Sequence, residues 1–349
     1  MTETTFVRAG PGPAGPGRAG SSEVGPSQAA GGAADQERQL AGYRGELTGY
    51  CYRMLGSVHD AEDAVQETMV RGWRGLGGFD GRSSLRSWLY RIATNVCLDA
   101  LTGRTRRALP VDLSAPSPPV ASALGAPAPA SAWIEPVPDD RIGAASDPAD
   151  VAVTRESVRL AFVAALQHLP PRQRAVLILR EVLRWRADEV AELLETTVAS
   201  VNSALQRARA TMASRDLGQP LDPMDADQRE LLSRYVSAFE RYDMESLVAL
   251  LHEDATQTMP PYALWLRGRD DIIRWMLGPG AGCRGSRLLA AVANGCPAYG
   301  QYRPSGPGGR PDPWSLHVVE IAGGRIIRLV SFLDTSLFPI FGLPPHADG

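Results

Sequence analysis

The sequence predicts a multidomain protein in which two all-α blocks precede an α+β block. Two observations carry that prediction. Stretches rich in Gly, Pro, Ala and Ser cut the chain into three pieces, and the hydrophobic period turns from helical to strand-like only in the third. Residues 1–34 hold almost no bulky apolar side chain and cannot offset the entropy of ordering, so a disordered tail is expected there. Residues 108–150 carry Pro110, Pro116, Pro118, Pro119, Pro127, Pro129, Pro136, Pro138 and Pro148. That density breaks nearly every helix and reads as a Pro-rich linker, with Trp133-Ile134 as a candidate docking point. A shorter linker spans 217–226, which leaves folded blocks at 35–107, 151–216 and 227–345.

The chain of 349 residues is long enough to bury two or three cores. Its net charge of −3 excludes a global polycation, and all 36 of its Lys and Arg residues are Arg. Cys51, Cys97, Cys283 and Cys296 show no CxxC or Cys/His spacing, which argues against a disulfide framework or a metal site and suits a reducing cytoplasm. No apolar run of about 18 residues occurs and no basic segment leads into one, so neither secretion nor a membrane role is expected. A nucleotide-binding glycine loop, paired catalytic carboxylates and a nucleophile motif are all missing. No catalytic residue or cofactor is therefore assigned.

In the first block, Leu85, Trp88, Leu89, Ile92 and Val96 fall at helical spacing and leave Arg86, Tyr90, Arg91 and Asn95 on other faces. Charge reverses sharply along this block. Asp60, Glu62, Asp63 and Glu67 crowd one stretch, whereas Arg71 to Arg107 holds eight Arg against Asp80 and Asp99. An acidic helix face suits a protein partner presenting cations. A basic stretch interleaved with Trp73, Phe79, Trp88 and Tyr90 suits single-stranded nucleic acid, whose phosphates meet Arg and whose bases stack on rings. Solvated charge runs and an apolar stripe would look the same.

The second block ends in a helix-turn-helix pattern. A short helix, Ala187–Leu194, turns Val190, Ala191 and Leu194 inward, and Glu195-Thr196-Thr197 makes the turn, where Gly would be easier at Glu195. The next helix buries Val198, Val201, Leu205, Ala208 and Met212. Its free face carries Ser200, Asn202, Ser203, Gln206, Arg207 and Arg209, short polar groups for base edges and later Arg for phosphates. An ordinary helical hairpin with a solvated basic face remains the alternative. The third block opens with a helical pattern, Leu231, Leu232, Tyr235, Val236, Phe239 and Tyr242. It then alternates through Arg287–Ala293, Ala298–Arg303 and Ser315–Ile321, the last joined through Gly323-Gly324 to Arg325–Leu333 as a hairpin.

Several of these segments resemble a known family. Leu55-Gly56-Ser57 with Asp60-Ala61-Glu62-Asp63-Ala64-Val65-Gln66-Glu67 is similar to the core-binding helix of sigma-70 factors. The run Phe79 to Asn95, with Arg82-Ser83-Ser84-Leu85-Arg86-Ser87-Trp88, resembles their promoter-melting segment. Leu169-Pro170-Pro171-Arg172-Gln173-Arg174 and the run ending Leu205-Gln206-Arg207-Ala208-Arg209 resemble their minus-thirty-five domain. The order and the absence of an intervening domain are those of the small extracytoplasmic-function (group 4) factors. The resemblance implies sigma region 2 over 35–107 and region 4 over 151–216. It implies that Asp60, Glu62, Asp63, Gln66 and Glu67 face the β′ clamp helices of core RNA polymerase. Arg82, Ser83, Ser84, Arg86, Trp88, Arg91 and Asn95 would then engage the minus-ten element of promoter DNA, and Ser200, Asn202, Ser203, Gln206, Arg207 and Arg209 the minus-thirty-five element.

Residues 227–345 resemble the SnoaL-like α+β cone, on Met259-Pro260-Pro261-Tyr262, Leu266-Arg267-Gly268-Arg269-Asp270, Gly300-Gln301-Tyr302 and Ser331-Phe332-Leu333-Asp334. Such cones imply a pocket for a small ligand, here lined by Tyr262, Trp265, Tyr299 and His317, with Asp254, His317 and Asp334 as candidate bases. Regulation of the sigma modules by this domain is the expected role. Two other readings stay open at the level of sequence. One is a stand-alone helix-turn-helix regulator, which would leave the acidic helix idle; the other is a small-molecule enzyme with a fused DNA-binding part.

Overall fold

The computed structural model describes residues 38–143, 148–215, 217–305 and 307–347, so the expected tail, residues 1–34, lies outside the described residues. The first block forms three long helices, α1 (Arg44–Leu55), α2 (Val58–Gly75) and α3 (Leu85–Leu101). Gly56 ends α1 in the left-handed region at φ 70°, and an added Cβ there would sit 2.8 Å from Ile134, so glycine is required. Ser57 then caps α2 by accepting from the Asp60 amide, and Ser84 caps α3 by accepting from Ser87.

The second block comprises α4 (Pro148–Val158), α5 (Leu160–Leu166), α6 (Pro171–Leu177), α7 (Ala187–Leu193) and α8 (Val198–Ala213). Pro148, expected to break a helix, begins one. A proline at the first helical position loses no intrahelical bond, because that N–H has no partner anyway. Val198, expected in the buried stripe of α8, is 42% exposed at the first position of the helix, while Val201, Leu205, Ala208 and Met212 are buried. Tyr90, expected on an outer face of α3, is fully buried, because that face is covered by the second block. Its ring lies 5.2 Å from Tyr50 and 5.0 Å from Trp185.

The third block is a six-stranded sheet with helices α9 (Ala226–Arg241), α10 (Met244–Leu250) and α11 (Arg269–Leu277) and a short α12 (Leu337–Ile340). Its strands are β1 (Leu251–Thr258), β2 (Trp265–Arg267), β3 (Arg287–Ala293), β4 (Cys296–Arg303), β5 (Asp312–Ala322) and β6 (Arg325–Phe332). The order is β2-β1-β6-β5-β4-β3, antiparallel throughout except between β1 and β6. Both faces of the sheet are buried. In β5, His317, Val319 and Ile321 face the cone interior with Phe239 and Leu247, whereas Leu316 and Val318 join the core shared with the helical blocks.

Residues 108–143 contain four short 3-10 turns and no strand or α-helix. They nonetheless pack closely: Leu109, Trp133, Ile134 and Val137 are buried, as the docking of Trp133-Ile134 requires. Between those anchors the segment passes over one end of the cone, where Ser117 donates to the Trp265 carbonyl, Ala128 to Pro261, and Ala123 and Leu124 rest on the cone's core.

Candidate nucleic-acid interface

The acidic helix α2 turns Val58, Ala61, Ala64, Val65 and Thr68 inward and so fixes where its polar residues stand. Asp63, Gln66 and Glu67 are exposed, Glu67 accepting from Arg71 one turn on (2.7 Å). Asp60 and Glu62 are engaged within the chain. Asp60 accepts from Arg104 and Arg107, both at 2.8 Å, and Glu62 from Arg141 at 3.2 Å. The five predicted residues thus share one helix but divide into an open set and a tied set.

The loop before α3 and the start of that helix enclose a hollow of about 390 Å³ lined by Phe79, Arg82, Ser83, Trp88 and Arg91. The Phe79 and Trp88 rings lie 5.2 Å apart and form its apolar floor. The volume falls in the range of small-molecule pockets and admits an unstacked base. Arg82 is 88% exposed at the rim, Ser84 is spent on the helix cap, and Asn95 is exposed farther along α3. Arg86 stands elsewhere. It grips Glu46 with two nitrogens (3.0 and 2.9 Å) and lies over the rings of Tyr90 and Trp185 at 5.1 and 5.2 Å. The hollow is closed on one side by the second block, because Glu192 of α7 lines it and stands 3.8 Å from Arg91.

On α8, Ser200, Asn202, Ser203, Gln206, Arg207 and Arg209 are all exposed, with Arg209 paired to Glu181. Thr197 caps the helix by accepting from the Ser200 amide at 3.1 Å, which sets the angle at which this face leaves the turn. Glu195 adopts φ 52°, the left-handed conformation that the sequence pattern flagged as better suited to glycine. Since a non-glycine residue there costs about 1–2 kcal/mol, Glu195→Gly is expected to raise stability by about 1 kcal/mol. Denaturant unfolding checks this; a less stable variant would show that the Glu195 side chain has a favourable role of its own.

Of the four residues assigned to a cone pocket, His317 lines the small space inside the cone. Tyr299 and His317 are both buried inside the cone, and the residual space that His317 borders is only about 10 Å³, at the lower limit for a single water. Trp265 stands under the strap of residues 114–128, where its Nε1 donates to the Ser114 carbonyl, and Tyr262 packs half-buried on the cone's core. Asp254 is exposed, 3.7 Å from Arg267, and Asp334 closes a turn by accepting from Ser336. His317 is held at both nitrogens: Tyr235 Oη donates to Nδ1 (3.1 Å) and Nε2 donates to Gln301 Oε1 (3.0 Å). Burial pushes the ring down to about 4 from an ordinary 6.5. The unfolded chain therefore takes up this proton first, and stability should fall as pH drops from 6.5 to 4, by about 1.4 kcal/mol per unit at most. Above 6.5 the group contributes no slope. Unfolding of His317→Gln at a series of pH values should show a flatter profile in that window; an unchanged slope would assign the acid sensitivity elsewhere.

Sequence reasoning missed the joints between the blocks. The β3–β4 hairpin tip, Asn294-Gly295, inserts where all the blocks meet. Asn294 is fully buried at φ 56°; its Nδ2 donates to Tyr52 Oη and to the Val158 carbonyl, both at 2.7 Å, and its Oδ1 accepts from the Val137 amide at 3.0 Å. Gly295 donates to Asp139 (2.8 Å) and accepts from Arg155 (2.6 Å), and a Cβ there would lie 2.4 Å from Arg155. A second joint is ionic. Glu320 of β5, 1% exposed, lies 3.3 Å from Arg159 of the second block and 3.2 Å from Arg328. Asn-Gly between two strand patterns signals a hairpin, but nothing local marks what the tip touches.

Comparison with known proteins agrees with this arrangement. Residues 40–107 match the Sigma-70 region 2 family model, 159–212 the Sigma-70 region 4 model and 232–329 the SnoaL-like domain model. The ECF RNA polymerase sigma factor SigG of Mycobacterium tuberculosis is 48% identical over 310 residues, covering 86% of this chain and 82% of that protein. SigJ of the same species is 27% identical over 84% of this chain and 90% of its own. The crystal structure of SigJ superposes with a TM-score of 0.57 at 25% identity, covering 88% of this chain and 99% of that one. With two sigma modules in order, a SnoaL-like domain behind them and near-half identity over most of both chains, this protein belongs to the ECF RNA polymerase sigma factors.

Proposed function

We propose that this chain binds core RNA polymerase in the cytoplasm and directs transcription from specific promoters, and that it catalyses no reaction itself. The open residues of α2, Asp63, Gln66 and Glu67, form the first contact with cationic side chains of the polymerase β′ clamp helices. The hollow of Phe79, Arg82, Ser83, Trp88 and Arg91 takes a base of the minus-ten element, which offsets the few kcal/mol lost on unstacking. Asn202, Ser203 and Gln206 read base edges of the minus-thirty-five element, while Arg207 and Arg209 meet phosphates. Against catalysis stand His317, held at both nitrogens, Asp254, which is exposed, and Asp334, which is spent on a turn with Ser336.

One observation carries the regulatory half of this reading: the helix-turn-helix touches the hollow before α3. Glu192 of the helix-turn-helix lies 3.8 Å from Arg91 of the minus-ten hollow. The two elements are about 25 base pairs apart, about 85 Å of duplex at 3.4 Å per step. Modules in contact cannot reach both, so this conformation must open for promoter engagement, and the cone, joined to both modules through Asn294 and Glu320, braces it shut. The test is transcription by purified core polymerase on a cognate promoter, comparing the full chain with one ending at Arg215. RNA that depends on the protein, and more of it from the shorter chain, is the expected result. Failure of both forms to bind core or support transcription would overturn the reading.

A further inference from the structure

Between the sigma modules, apart from the promoter surfaces, lies a second hollow of about 620 Å³. Arg104, Arg106 and Arg107, from the segment after α3, form one wall, and Arg174 of α6 forms the other, with Asp60 between them. The charges do not balance. Asp60 is shared by Arg104 and Arg107, the latter also 3.8 Å from Glu135. Arg106 meets the Nδ1 atom of His168 (2.8 Å), whose ring burial and the nearby Arg106 and Arg215 push toward the neutral form. Arg174, 4% exposed, meets the carbonyls of Met54, Gln167 and Leu169 and the Gln167 amide oxygen, but no carboxylate among the described residues. Its Nε has no acceptor.

Buried cations are ordinarily paired with an anion, and a guanidinium fork matches two phosphate oxygens better than any other common acceptor. The volume is that of a nucleotide-sized ligand, whereas a duplex cannot enter a hollow walled on two sides. We propose that this cleft binds a small anion carrying two or more phosphates. The ligand contacts both modules, so it binds the compact form in preference to an opened one and stabilises it. The inference rests on the compact arrangement, not on promoter recognition, and is tested without polymerase or promoter.

The experiment is calorimetric titration of the full chain with inorganic tripolyphosphate, alongside orthophosphate. Saturable binding of one tripolyphosphate, weaker binding of orthophosphate and a rise in Tm are expected. Arg104→Ala/Arg106→Ala, at two exposed positions, should weaken binding by at least about tenfold, the equivalent of 1.4 kcal/mol, with unchanged ellipticity. Asp60→Asn, which removes the competing carboxylate, should strengthen it. No saturable heat up to millimolar tripolyphosphate, or equal affinity in the double-Ala variant, would overturn the proposal. Displacement of tripolyphosphate by an equal concentration of a short single-stranded oligonucleotide would overturn it in favour of a nucleic-acid channel.

Discussion

Replacing Asn294 by Ala is expected to loosen the cone from both sigma modules while leaving each module folded. The substitution strips partners from the Val137 amide, the Val158 carbonyl and the Tyr52 hydroxyl. The Tyr52 hydroxyl keeps its bond to the Glu135 carbonyl, but an unsatisfied buried group costs about 1–3 kcal/mol, so the Val137 amide and the Val158 carbonyl together should cost about 2 kcal/mol or more. Ala also tolerates φ 56° poorly, which adds about 1 kcal/mol. Asn294→Gly separates the two contributions, since it relieves the backbone and still lacks the amide. Hydrogen exchange should show lost protection at Val137 and at the hairpin tip, more in the Ala than in the Gly variant, and faster association with core polymerase. Protection equal to the parent in both variants would show that the tip is not the clasp.

Glu320→Gln should have the other large effect. It leaves the half-buried Arg328 facing a neutral amide and the buried Arg159 with only the exposed Glu156 (3.1 Å), so the loss should approach the lower end of the about 3–5 kcal/mol that breaking a buried pair costs. Chemical unfolding measures the loss. The triple change Arg159→Met, Glu320→Met and Arg328→Met removes all three charges together and should recover most of it, because the cost lies in the uncompensated charge. If the triple variant is no more stable than Glu320→Gln, the residues hold the joint by shape and not by charge balance.

The helical blocks were legible because each buries one stripe at helical spacing and leaves the rest polar, as Val201, Leu205, Ala208 and Met212 do in α8. Strands β3 and β6 and the core of β5 showed their alternation. β1 did not, since His252, Glu253 and Asp254 occupy its first half, and β2 is three residues long and formed by pairing. The candidate residues of α2, the α3 loop and α8 were reached through motifs; which of them face outward depends on distant partners. Arg86 and Tyr90 are covered by Trp185, about 95 residues away in sequence, and Trp265 by a strap about 150 residues before it. Local periodicity carries no information on contacts of that range. The strained turn at Glu195 was visible for the opposite reason, because φ at one residue is a local matter.

In the proposed closed state the helix-turn-helix and the minus-ten hollow stay against each other until polymerase parts them. Labels at Asp99→Cys on α3 and Ser214→Cys after α8 report the separation by pulsed electron paramagnetic resonance, with Cys283 replaced and Cys51, Cys97 and Cys296 buried. One narrow, short distance is expected in the free chain and a distance longer by tens of ångströms when core polymerase is bound. The same distribution in both states, or a broad one in the free chain, would mean that the modules are not held closed.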